Sequence, residues 1–210
     1  MTMASLRIAA IVPCYNEELT VRRVVADLAA ALPEATIYVY DNNSTDRTAE
    51  VARESGAIVR SELRPGKGSV VRRAFSDIEA DVYVMIDGDD TYDASRAREM
   101  VTRLVSEGLD HVVGVRVEEP ESGAYRPGHA WGNKVFNSIT VALFGEQVED
   151  MFSGYRVFSR RFVKSFPANS EEFEIETELT IHSATLRVPQ ASIGVGFQDR
   201  PEGSDSKLRT

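Results

Sequence analysis

Four short apolar runs, at residues 7–13, 36–40, 57–59 and 82–86, alternate with stretches of helical character, and this alternation restricts the fold more than anything else in the chain. Apolar runs of that length bounded by polar turns read as strands. Residues 17–31 carry Leu19, Val21, Val24, Val25 and Leu28 at helical spacing, and 45–54, 69–78 and 95–106 are expected to be helices as well. Ser44 is placed to cap the second of these. A fifth strand is predicted at 111–115. Strand–helix–strand order with short connections dictates a mostly parallel sheet with helices on both faces, an α/β fold of Rossmann-like plan.

Beyond residue 118 the pattern loosens. Residues 118–128 are polar and rich in Pro and Gly, and read as a mobile loop. An amphipathic helix is expected at 129–144, a strand at 155–158, a helix at 171–186 and a last strand at 188–197. Residues 198–210 are polar, carry Arg200, Lys207 and Arg209, and show no core-forming pattern. Any order there is expected to come from a ligand or partner. At 210 residues the chain is read as one domain, 1–197, followed by a flexible tail, 198–210.

Charge and cysteine usage exclude several functions. A net charge of −9 argues against nucleic acid, which requires a basic face. It argues equally against whole-surface attraction to anionic lipid, although a local basic patch could still dock there. The single cysteine, Cys14, forbids an internal disulfide, suits a reducing compartment and reads as a buried inert thiol. The N-terminal residues run straight into the first strand, with no signal-peptide pattern, and no apolar run reaches the ~18 residues of a membrane span. The expected location is cytoplasmic, with any membrane contact peripheral, at the inner face of the cytoplasmic membrane.

The chemistry gathers where strands end. The run at 82–86 breaks into Asp87-Gly88-Asp89-Asp90. Buried acids that close repel one another, whereas a divalent cation offsets that cost. Asp87 and Asp89 supply hard oxygen ligands, and Gly88 lets the backbone turn between them. Open α/β sheets bind ligands beyond the carboxyl ends of their strands, which is where this cluster falls. A solvated acidic turn is the plain alternative for an isolated Asp-x-Asp. A calcium loop is rejected, because Tyr92 and Arg98 stand where glycine and glutamate are required.

Pro13-Cys14-Tyr15-Asn16-Glu17 joins the first strand to the first helix, a junction suited to anionic or nucleotide groups or simply an ordinary turn. The turn at 41–46 repeats the arrangement: Asp41 could accept from a base or ribose, or form an Asx-turn. Lys67, between Gly66 and Gly68, can reach phosphate as a point charge. No dinucleotide or P-loop fingerprint is present. Arg156, Arg160, Arg161 and Lys164 form a positive cluster that calls for an anion. Glu174, Glu176 and Glu178 read as solvated or arginine-paired rather than catalytic, and His111, His129 and His182 lack metal-ligand spacing.

Taken in order, VPCYNEE at 12–18, DNNSTDRT at 41–48, PGKG at 65–68, DGDDTY at 87–92, WGN at 131–133, SGYR at 153–156 and RPEGSDSK at 200–207 resemble the family 2 glycosyltransferases of GT-A fold. The likeness is greatest to the polyprenyl-phosphate, dolichol-phosphate-like, mannosyl and glucosyl synthases. It implies that Pro13, Tyr15, Glu17, Asp41, Lys67 and Gly88 line the nucleotide-sugar pocket, and that Asp87 and Asp89 hold the diphosphate through Mg²⁺ or Mn²⁺. Arg156, Arg200 and Lys207 are implied near diphosphate or acceptor phosphate. Relatives commonly read Asp-Asp-Gly-Ser at the second motif, where this chain has Asp41-Asn42-Asn43-Ser44.

The implied function is inverting, metal-dependent transfer of a hexosyl group from a nucleotide-diphosphate sugar to a polyprenyl phosphate. Asp87, Asp89 and Arg156 would act on the departing diphosphate. A dianionic phosphate acceptor needs no base, whereas a hydroxyl acceptor would need one, for which Asp150 is nominated. A soluble hydroxyl acceptor, a nucleotidyltransferase and a non-catalytic nucleotide-sugar module are the other readings. The sequence assigns no oligomeric state.

Overall fold

The structure of the protein is a computed structural model that describes residues 6–118, 150–201 and 203. Among these, a seven-stranded sheet runs in the order β3-β2-β1-β4-β6-β5-β7. The first strands are β1 (Ile8–Cys14), β2 (Thr36–Asp41), β3 (Ile58–Ser61) and β4 (Val82–Met85), mutually parallel as expected. Their connecting helices are α1 (Val21–Ala31), α2 (Thr48–Glu54) and α3 (Lys67–Asp77). A 3₁₀ turn (Ala94–Arg96) leads into α4 (Ala97–Ser106) and then β5 (His111–Glu118). Next come β6 (Arg156–Ser159), α5 (Arg160–Ser165), α6 (Glu174–Leu186) and β7 (Gln190–Phe197). Strand β6 lies antiparallel between β4 and β5, while β5 and β7 run parallel.

Burial explains this layering. Every residue of β4 is buried, as a strand covered on both faces must be. On one face Val21, Val24, Val25 and Leu28 of α1 pack with Val51 of α2 and Met100 and Leu104 of α4. On the other, Val70, Val71 and Phe75 of α3 meet Phe158, Phe162, Ile175 and Leu179. The two layers leave the carboxyl ends of β1, β2 and β4 on one edge, so the turns after Cys14, Asp41 and Met85 converge there.

Several element boundaries differ from expectation, each for a local reason. Helix α1 starts at Val21 rather than residue 17, because Asn16 takes a positive φ of 53° and the Glu17 carbonyl closes a turn onto Thr20 and Val21. Ser44 is not a helix cap. Its hydroxyl accepts from the Asn16 amide at 2.9 Å, and Asp46 instead accepts from the Thr48 amide at the start of α2. Helix α3 starts at Lys67 because Gly66, at φ +104°, supplies the break. Helix α5 was not anticipated from sequence; Ser159 caps it by accepting from the Phe162 amide. The expected loop at 118–128 and helix at 129–144, and Lys207 and Arg209 of the tail, lie outside the described residues except for Glu118, which ends β5.

Candidate active site

Three turns at the carboxyl edge are tied to one another by short polar contacts. The turn after β1 donates to the turn after β2: the Glu17 amide to Thr48 Oγ1 at 2.7 Å and the Glu18 amide to Asp46 at 3.1 Å. In return, Asn16 Oδ1 accepts from the Thr45 amide at 2.8 Å. Thr20, at the head of α1, donates to the Gly88 carbonyl at 2.7 Å, which joins the first turn to the Asp-Gly-Asp segment. A Cβ at Gly88 would overlap the Cys14 sulfur and crowd the Pro13 carbonyl, so the close approach requires glycine.

Within this frame the carboxylates meet cations. Asp87 contacts the Lys67 ammonium, and Glu176 of α6 takes the same ammonium at 2.6 Å. Burial works against the Lys67 charge, but Asp87 and Glu176 outweigh it and hold its pKa above the ordinary lysine range. Arg200 reaches back from beyond β7 to Asp89 at 2.6 Å and to Glu17 at 3.4 Å. Asp89 also accepts from the Thr91 hydroxyl at 2.7 Å. Burial and then the neighbouring Asp87 charge push the Asp89 carboxyl pKa up, with Arg200 opposing.

Glu17, Asp87, Asp89 and Glu176 therefore face Lys67 and Arg200, four carboxylates against two cations. Asp87 and Asp89 are the two carboxylates here to which a divalent cation would add positive charge. Among the described residues no group of three or more His, Cys, Asp or Glu side chains has the arrangement of a metal cage. Two carboxylates suffice for Mg²⁺ or Mn²⁺ when substrate phosphates and water complete the coordination, so the residues present fit such an ion.

Other expected site residues take their places as follows. Tyr15 is exposed and Pro13 half-buried at the mouth of the crevice. Asp41 is 9% exposed, and its Oδ1 is buried without a hydrogen-bond partner among the described residues.

Arg156 is fully buried, and donates to the Ser153 carbonyl at 2.8 Å, the Met151 carbonyl at 2.7 Å and Thr180 Oγ1 at 3.0 Å. Its guanidinium thereby braces the turn at 151–154. That turn presses on the site: Gly154 lies so close to Asp87 that no Cβ would fit. Asp150 is buried and held by both oxygens to Arg116, each at 2.8 Å. Both oxygens of Asp150 are therefore engaged by a guanidinium fork. The remaining basic cluster is partly compensated among the described residues: Arg160 and Lys164 share the one Glu79 carboxylate, and Arg161 pairs with Asp110.

Glu176 is the residue the sequence reading undervalued. Expected to be solvated or paired with arginine, it is instead buried against Lys67. A signal was present. Glu176, Thr180 and Ser183 share helical spacing on α6, and each meets a buried partner: Lys67, Arg156 and His111 respectively. Glu174 on the same helix is exposed, and Glu178 accepts from the Asn169 and Ser170 amides.

Residues 9–166 match the family described as Glycosyl transferase family 2. The chain belongs to that family. Among relatives of this glycosyltransferase, RfbJ of Shigella flexneri is 54% identical over 125 residues, 60% of this chain and 97% of RfbJ. Glycosyltransferase AglJ of Haloferax volcanii is 36% identical over 197 residues, 93% of this chain; the chain spans 64% of AglJ's length. A dolichyl-phosphate hexose transferase of the same organism is 28% identical over 193 residues, covering 92% of this chain and 83% of that one. The solved complex of glucosyl-3-phosphoglycerate synthase from Mycobacterium tuberculosis with Mn²⁺, UDP-glucose and phosphoglyceric acid superposes with a TM-score of 0.74 at 25% identity. It covers 94% of this chain and 74% of that one. The fold of this family 2 glycosyltransferase is thus the GT-A fold. No helix among its described residues is long and apolar enough to cross a membrane.

Proposed function

We propose that this glycosyltransferase moves a hexosyl group from a nucleotide-diphosphate sugar to a polyprenyl phosphate with inversion. The observation that carries the donor side is the gathering of Asp87 and Asp89 with Lys67 and Arg200 at the carboxyl edge of the sheet. When bound there, Mg²⁺ or Mn²⁺ would supply Lewis-acid neutralisation of the charge developing on the departing nucleoside diphosphate. Asp87 and Asp89 would hold the ion. Arg200 and Lys67 are within reach of the same place and would turn their charge onto the phosphates. The unpartnered Asp41 oxygen suits a base or ribose group that donates a hydrogen bond.

The acceptor reading rests on Asp150. Its oxygens are engaged by Arg116, so among the described residues the nominated base is committed elsewhere. A phosphate monoester is largely dianionic at neutral pH, since its second pKa is about 6, and attacks without losing a proton. The dolichyl-phosphate hexose transferase relative agrees with this acceptor class. Docking of the lipid would be peripheral.

A second reading, a soluble acceptor, is favoured by the structural neighbour whose complex holds phosphoglyceric acid. The test is transfer of labelled sugar from UDP- and GDP-hexoses with Mn²⁺, offered polyprenyl phosphate, phosphoglyceric acid and glycerol in parallel. Product on polyprenyl phosphate alone supports the first reading. Product confined to the soluble acceptors overturns it.

A further inference from the structure

We propose that Asn42 is a positioning residue that sets the location of Lys67 at the diphosphate, an inference that rests on the donor reading above. Asn42 directly follows β2 and uses its whole amide on one neighbouring segment. Its Nδ2 donates to the Glu62 carbonyl at 2.8 Å and to the Arg64 carbonyl at 2.7 Å. Its Oδ1 accepts from the Gly66 amide at 2.8 Å. Three backbone groups within five residues are thereby fixed by one side chain. Rotating the amide would set its oxygen against two carbonyls, so the orientation is determined by its partners. Asn43 adds a contact of 3.0 Å from Nδ2 to the Leu63 carbonyl.

The opposite side of this segment is equally constrained. A Cβ on Gly66 would overlap the Glu171 carbonyl, and one on Gly68 the Ser170 carbonyl. The Ser69 amide donates to the Glu171 carbonyl at 3.1 Å. Residues 62–68 are thus held between Asn42 on one flank and residues 170–171 on the other. Lys67 emerges from that clamp into the gap between Asp87 and Glu176.

Aspartate at this position cannot reproduce the contact. It could still accept from Gly66, but it has no hydrogen to give to either carbonyl, and its charge would repel both. The side chain at 42 therefore decides how firmly Lys67 is presented.

The experiment is a cycle between Asn42→Asp and a background carrying Lys67→Gln with Glu176→Gln, which removes that buried pair together and takes the ammonium from Asp87 equally with and without the change at 42. The readout is the dissociation constant of UDP and of GDP, each with Mn²⁺, by calorimetry, alongside unfolding midpoints and amide exchange of residues 62–68. Asn42→Asp is expected to weaken nucleoside diphosphate binding about tenfold in the otherwise native protein and less than twofold in the neutralised background. Exchange at 62–68 should quicken while β1 stays protected. Unchanged binding, or equal weakening in both backgrounds, overturns the proposal, because a merely structural asparagine would act independently of Lys67. Should the native protein bind neither diphosphate, the donor reading fails and this proposal with it. Binding that is intact yet insensitive to Asn42 removes only the latter.

Discussion

The two sides of the crevice are built by different means. On the donor side, the turns after β1 and β2 are joined by amides, hydroxyls and backbone groups, as in Asn16 to Thr45, Glu17 to Thr48 and Asn42 to residues 62–66. On the other side the supports are charges withdrawn from water: Arg156 under the 151–154 turn, Asp150 on Arg116 and Glu176 on Lys67. Neutral ties each contribute about 1 kcal/mol and fail one at a time. A buried charge that loses its partner costs several kcal/mol and takes its surroundings with it. The donor side is a mesh that tolerates single losses, whereas the opposite side hangs on a few anchors.

The largest effect is expected at the meeting of the two. Asp89→Asn keeps the shape and removes the charge, so divalent-dependent binding of UDP or GDP should be lost and turnover should fall at least ~10²-fold, about 3 kcal/mol. Calorimetry with and without Mn²⁺ reads the first and product formation the second. Normal turnover in chelator-treated buffer would falsify the metal assignment.

Next is the anchor itself. Arg156→Ala strips donors from the Met151 and Ser153 carbonyls and Thr180 and leaves a cavity, for an expected loss of about 4 kcal/mol in chemical denaturation. By contrast, Asn16→Ala on the donor side should cost only about 1 kcal/mol. Equal losses at the two positions would erase the distinction between mesh and anchor.

Asp150→Asn separates stability from chemistry. Weakening the pair with Arg116 should cost about 2 kcal/mol, yet transfer to polyprenyl phosphate should persist. A fall of ~10²–10⁴-fold in transfer at an unchanged fold would make Asp150 a base after all, and the acceptor a hydroxyl. The smallest effect is expected outside both regions. Glu79 is exposed, and although Lys164 and Arg160 draw its carboxyl down to about 2, Glu79→Ala should leave diphosphate affinity where it was. A measurable change in that affinity would mean the basic cluster serves the site.

The same contrast governs how much could be read from sequence. The parallel half was legible because periodicity and turn residues are local signals, and β1 to β4 fall within a few residues of where the apolar runs placed them. The Asp-Gly-Asp segment was legible for the same reason. The bracing contacts of Arg156 were not legible, because its partners are carbonyls and Thr180, which no local pattern connects to it. The surplus of positive charge at 160–164 is reduced for a similar reason, since Glu79 and Asp110 lie far off in sequence and adjacent in space. Glu176 stood in a polar stripe at helical spacing, and such a stripe is ordinarily a solvated face. Only the burial of α6 against α3 and β6 turns it inward.

The packing of Gly88 against Cys14 gives the protein a built-in clock. Burial, and then the charges of Glu17 and Asp41, push the Cys14 thiol well above its ordinary pKa, so in the closed fold it is both shielded and protonated. An alkylating reagent can modify it only when the ends of β1 and β4 part. No other cysteine in the chain competes for the reagent. The labelling rate of an unmodified sample, followed by mass alone, therefore counts how often this edge of the sheet opens, and ligands that seal the crevice slow the count.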